Sequence, residues 1–174
     1  MPELSADALA PWHDFYTLLG TGAATLIGAM FVVASIGTGI LTHERSAETA
    51  TFLTPTVLHL STVLLACALT LVPGVSTVVM GMLFCAAGII GLSYSALIWR
   101  RTQRRELELV DRLWYALVPV AGYGAMVAAS ILTIEHRAAS LDVGALALVL
   151  LLIAGIRNAW DLILYLVAQN SRRL

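Results

Sequence analysis

The chain has 174 residues, 59% of them hydrophobic and 12% charged, against about 25% charged in an average soluble domain. A chain this short has no soluble core in which to hide several apolar runs of about 20 residues, so the composition predicts a single all-α integral membrane bundle. The net charge of −1 gives no footprint for nucleic acid, and the absence of lysine excludes a Schiff-base chromophore such as retinal.

Residues 1–14 are acidic and lack the basic start of a cleavable secretory signal. The apolar run that follows reads as a retained first span. Five windows reach the roughly 20 helical residues needed to cross a 30 Å hydrocarbon core: 15–41, 51–72, 77–99, 113–134 and 143–167.

In the first window, Thr17, Thr21, Thr25 and Gly28 form a stripe beside Gly20, Ala24 and Gly28. Small residues at four-residue spacing let helices approach closely. The stripe therefore predicts tight packing within or between subunits, or, with hydroxyls at one per turn, the lining of a pore. The second window holds His59, the one histidine well inside a span and a candidate proton relay. Pro73-Gly74 makes a tight turn to the third window. Cys67 and Cys85 have no metal-ligand neighbours at useful spacing and read as small buried hydrophobes.

Arg100, Arg101, Arg104 and Arg105 follow the third window as a juxtamembrane basic cluster. Such a cluster holds topology and attracts anionic lipid headgroups, at about 1 kcal/mol per basic residue. Glu135-His-Arg separates the fourth window from the fifth, where Ser140 and Asp142 are candidate caps.

The fifth window contains Ile156-Arg-Asn-Ala-Trp-Asp161. Arg157, Asp161 and Tyr165 are spaced four apart on one helical face, with Asn158 alongside. Inserting a charge at a helix centre costs about 2.5–3.5 kcal/mol, whereas intramembrane packing hydrogen bonds return only about 0.6–2 kcal/mol. Packing alone is a poor reason to keep both charges. Counting depth along the windows puts them in one polar layer with His59, Ser35, Ser93, Tyr94 and Tyr123, and makes His59 the expected cross-helix partner of Asp161. A rival reading ends the span near Ile156 and lays the remainder along the membrane surface. The apolar run after Asp161 favours a continuous span.

Arginine placement sets the expected orientation. With five spans, Arg45, Arg100, Arg101, Arg104, Arg105, Arg112, Arg172 and Arg173 fall on one side and Arg137 alone on the other. This predicts an outside N-terminus and a cytoplasmic C-terminus. No voltage-sensor repeat, selectivity-filter sequence, phosphate loop, metal-ligand spacing or nucleophile elbow occurs, so neither an enzyme nor a cofactor is expected.

The expected function is an oligomeric channel or transporter-like protein for protons or small ions. Asp161 would be its binding carboxylate, Arg157 an electrostatic gate, Asn158 a supporting ligand and His59 a relay. The alternative is a non-conducting regulatory or assembly module that binds a partner protein or lipid through the same face.

The positions Phe15, Tyr16, Leu18, Gly20, Thr21, Ala23, Ala24, Thr25, Leu26 and Gly28 form an F-Y-x-L-x-G-T-x-A-A-T-L-x-G start. It resembles the opening of small, mostly uncharacterised bacterial inner-membrane proteins, as does the R-N-A-W-D run. The resemblance implies a bacterial inner-membrane location and brings no activity with it.

Overall fold

The computed structural model describes residues 10–38, 43–102 and 113–171, and among them every regular element is helical. A short turn, Ala10–Trp12, leads into α1 (His13–Thr38). Then come α2 (His43–Leu71), α3 (Thr77–Thr102), a π-type turn Leu113–Leu117, α4 (Val118–Ile134) and α5 (Ser140–Ser171). Four stretches are long and apolar enough to cross a membrane: Ala10–Ser35, Thr54–Leu71, Thr77–Arg100 and Ser140–Leu164.

The fourth predicted span is built from two pieces. Its α-helical part, Val118–Ile134, has 17 residues, or about 25 Å. Pro119 has no N–H to donate to the Tyr115 carbonyl, and the backbone enters this helix through the wider π turn. The two pieces together cover 113–134, the window the hydropathy pattern marks.

Sequence neighbours are not the main spatial neighbours. Across the bundle the order is α3, α4, α5, α2, α1, with α5 also reaching α1. α2 and α3 are joined by the Pro73–Gly74 turn, where Gly74 takes φ 77°, yet they make little contact with each other. α5 is the central helix, and it runs unbroken through Arg157 and Asp161. The backbone makes no turn near Ile156.

Small residues decide where helices meet. A Cβ on Gly81 would lie 2.6 Å from Ile134, and one on Gly88 2.6 Å from Val127, so α3 and α4 are held at backbone distance. Gly122 of α4 receives Leu151 of α5, Gly155 of α5 receives Leu60 of α2, and Gly20 of α1 receives Cys67 of α2. The core between them includes Tyr16, Leu19, Ala23, Val63, Met126, Leu148 and Leu151. Both cysteines are free, Cys67 buried and Cys85 half-buried.

Large apolar side chains cover the outside. Leu18, Leu65 and Ile90 are 75%, 67% and 63% exposed, which is the surface of a protein solvated by hydrocarbon rather than by water. Hydroxyls on that surface are satisfied within their own helices: Thr25 donates to the Thr21 carbonyl at 2.9 Å, Ser35 to Phe31 at 2.8 Å and Ser93 to Ile89 at 2.8 Å.

At the end opposite the arginine cluster, α4 stops in a Schellman turn. The Arg137 amide donates to the Leu132 carbonyl at 2.8 Å and the His136 amide to Thr133 at 3.1 Å. His136 occupies the left-handed position with φ 56°. Ser140 and Asp142 then sit in the first turn of α5, as their sequence position suggests.

Candidate functional site

The buried polar side chains near the arginine-rich end come from α2, α3, α4 and α5. His59 of α2 is 3% exposed, and its Nδ1 lies 2.9 Å from the Tyr123 hydroxyl of α4. Thr62 lies one turn along α2, next to the Tyr123 hydroxyl. The Thr62 hydroxyl itself donates to the Leu58 carbonyl at 2.8 Å.

His59 Nδ1 and the Tyr123 hydroxyl share one hydrogen bond, whose donor is set by the imidazole tautomer. His59, Tyr123 and Thr62 thus form one row of polar groups between α2 and α4. Gly91 of α3 makes room for it: a Cβ there would lie 2.2 Å from the Tyr123 ring.

Arg157 and Asp161 pair within α5, as their spacing predicts, with Nε 3.4 Å from Oδ2. The contact is an ion pair without hydrogen-bond geometry, because Arg157 Nε has no hydrogen-bond acceptor. Asn158 lies on the adjoining buried face and is 2% exposed, and its Oδ1 also has no partner. A third orphan is Ser95 Oγ on α3. Buried polar atoms are normally satisfied, at a cost of about 1–3 kcal/mol when they are not.

The expected bond between His59 and Asp161 does not form in this arrangement. His59 packs level with Gly155 of α5, which is six residues, or about 9 Å, short of Asp161 along the helix. Its ring is engaged by Tyr123 instead. Asn158 stands between the two levels. The cross-helix register runs the polar groups inward from the arginine-rich end: Asp161, then Asn158 and Arg157 on one turn, then His59, then the Tyr123 hydroxyl with Thr62.

The threonine stripe lies elsewhere. Thr17, Thr21, Thr25 and Gly28 all face out from the bundle, and a Cβ on Gly28 would meet nothing within 4 Å. Packing within the chain uses a neighbouring stripe, Tyr16, Leu19, Gly20, Ala23 and Met30, so only Gly20 of the predicted small-residue seam is in a helix contact. Arg100 is exposed at the end of α3. Arg104 and Arg105 lie outside the described residues, as do the side chains of Arg101 and Tyr165.

Sequence reasoning missed Thr62 and Ser95. Thr56, His59 and Thr62 are spaced by three along α2 and so share a face, and that spacing was the available signal for Thr62. No protein family, curated protein or solved structure matches the chain.

Proposed function

We propose that this is a five-span protein of the bacterial inner membrane, N-terminus outside, which moves protons or small ions as a homo-oligomeric channel or transporter-like protein. The observation that carries this reading is the distribution of unsatisfied atoms. Among the described residues, the three buried side-chain polar atoms without a hydrogen bond are Ser95 Oγ, Asn158 Oδ1 and Arg157 Nε, the last of which keeps only its ion pair to Asp161, and all belong to the arginine-rich half. Groups that only hold a fold together are expected to be satisfied, whereas groups that handle a moving proton or ion alternate between partners.

In this mechanism Asp161 takes up the proton or cation at the arginine-rich end, and Arg157 sets the local field. Asn158 offers the next oxygen, and the His59–Tyr123–Thr62 chain carries a proton further in. The route covers one half of the bundle. Leu151 and Val63, level with the inner end of this chain, and Met126 and Leu148 beyond them close the path with apolar side chains, each 2% exposed or less. One chain therefore has an inward-facing polar half-path, and transport requires these helices to shift or a second copy to supply the remainder.

Purified protein in liposomes, assayed for proton and cation flux under an imposed potential, tests the proposal. Wild type should conduct, and Asp161→Asn should reduce the flux while leaving the oligomer intact on a sizing column. Tight wild-type vesicles across the tested ions and pH would rule conduction out.

One observation favours the alternative, a non-conducting assembly module. The outward Thr21, Thr25 and Gly28 face leaves open space where a helix of another copy or of a partner protein could approach closely. Under that reading Gly28→Leu breaks the oligomer, and no variant in the polar half alters vesicle permeability.

A further inference from the structure

We infer that the Arg157–Asp161 pair sits at the lipid headgroup boundary, where the hydrocarbon belt around the protein ends, rather than within the hydrocarbon. The inference rests on the membrane-spanning part of the proposal above and not on conduction.

Helix register sets this level. Gly88 against Val127 and Gly91 against Tyr123 fix α3 relative to α4, while Gly122 against Leu151 and Gly144 against Ala129 fix α4 relative to α5. Carried along the antiparallel helices, these contacts bring Trp99 of α3, Trp114 of the π turn and Trp160 of α5 within about one helical turn of a common level. Arg100 and the Arg157–Asp161 pair share that level. Gly155 against Leu60 fixes α2 as well, and there the apolar stretch Thr54–Leu71 begins opposite Asp161.

The other edge is marked by the remaining tryptophan. The Tyr16 hydroxyl contacts the Leu141 carbonyl at 3.4 Å, and Trp12 stacks edge-on against Phe15 one turn before it. This puts Trp12 level with Ser140. From Ser140 to Trp160 is about 20 residues, or roughly 30 Å of helix, which equals the thickness of a bilayer hydrocarbon core. Tryptophan prefers both boundaries of that core. Between them, the outward face of every helix carries large apolar side chains.

Two consequences follow. The pair avoids the cost of a mid-membrane charge, because Arg157, with a side chain 39% exposed, reaches headgroup phosphate and water. The stretch after Asp161 continues as helix beyond the hydrocarbon, and at the boundary itself Met30 and Val33 of α1 pack against Ala159 and Leu162.

Leu146, Ile153, Trp160 and Val167 are all exposed and seven residues apart on one face of α5, so they form a depth ruler with steps of about 10 Å. Each would be replaced singly by cysteine in a Cys67→Ala/Cys85→Ala background and spin-labelled in phosphatidylcholine–phosphatidylglycerol liposomes. Should the Cys67 replacement unfold, Cys67 stays, since it is buried. Collisions with lipid-soluble oxygen and with a water-soluble nickel chelate report depth. The oxygen-to-nickel ratio should be similar and high at 146 and 153, several-fold lower at 160 and lowest at 167. A ratio at 160 that stays near the value at 153 and exceeds that at 146 would move the belt along α5 and overturn the inference. A flat, water-like ratio at all four sites would instead defeat the membrane-spanning reading itself.

Discussion

The two halves of the bundle treat buried polar groups differently. In the half away from the arginine cluster, Thr70 donates to the Ala66 carbonyl at 2.8 Å, Ser130 to Val127 at 2.6 Å and Thr133 to Ala129 at 2.8 Å. Each hydroxyl returns to its own helix, and Tyr16 closes on the Leu141 carbonyl across to α5. In the arginine-rich half, His59 and Tyr123 bond side chain to side chain across helices, and Ser95, Arg157 and Asn158 keep atoms without hydrogen bonds. Self-satisfied hydroxyls make an apolar, closed wall. Cross-helix bonds and orphans make a region whose hydrogen bonds can rearrange.

The comparison can be broken most forcefully at the closed wall. Leu151 is fully buried against Gly122, and Leu151→Ala should cost about 2–5 kcal/mol in thermal unfolding of the detergent-solubilised protein. It should also raise background proton leak in vesicles, since the apolar plug loses a fully buried side chain. An unchanged leak would mean that the barrier lies elsewhere.

Gly91→Ala is the next largest effect. A methyl there collides with the Tyr123 ring, so overpacking should destabilise by about 1–3 kcal/mol, against the gain of up to about 1 kcal/mol that Gly→Ala brings at an uncrowded helix site. Gly124, where a Cβ meets nothing within 4 Å, is the matched control and should gain stability. If both variants gain, Tyr123 is not held where the comparison requires.

Tyr123→Phe removes the hydroxyl bonded to His59 and beside Thr62, and should cost about 1–3 kcal/mol by leaving His59 Nδ1 unpaired. Its counterpart in the closed half, Thr70→Val, deletes a hydroxyl whose acceptor carbonyl belongs to its own helix, and should cost under about 1 kcal/mol. Equal costs in calorimetry would erase the distinction between the halves. Asp161→Asn should be the mildest for stability, under about 1 kcal/mol, because the pair is partly exposed. A loss of several kcal/mol would identify it as a buried structural pair.

Much of the fold was legible because a 30 Å apolar slab demands long apolar runs, and such runs are visible in any order of packing. The pairing of Arg157 with Asp161 was legible too, since four-residue spacing is a property of one helix. What could not be read was anything requiring the registry between helices. The Thr17–Thr21–Thr25 stripe and the Tyr16–Leu19–Ala23 stripe are adjacent on α1, and only the neighbouring helices decide which one faces inward. His59 and Tyr123 were placed at one depth by counting, but their bond depends on Gly91 opening space on a third helix. The level of Trp99 and Trp114 beside Asp161 emerges only once the helices are packed.

The most direct test of the account is proton flux in sealed vesicles, measured side by side for wild type, Tyr123→Phe and Thr70→Val. Wild type should conduct, Tyr123→Phe should fall by roughly tenfold for the loss of one relay hydrogen bond, and Thr70→Val should stay close to wild type. Equal flux from the two variants, or no flux from wild type, would contradict a proton path confined to the arginine-rich half.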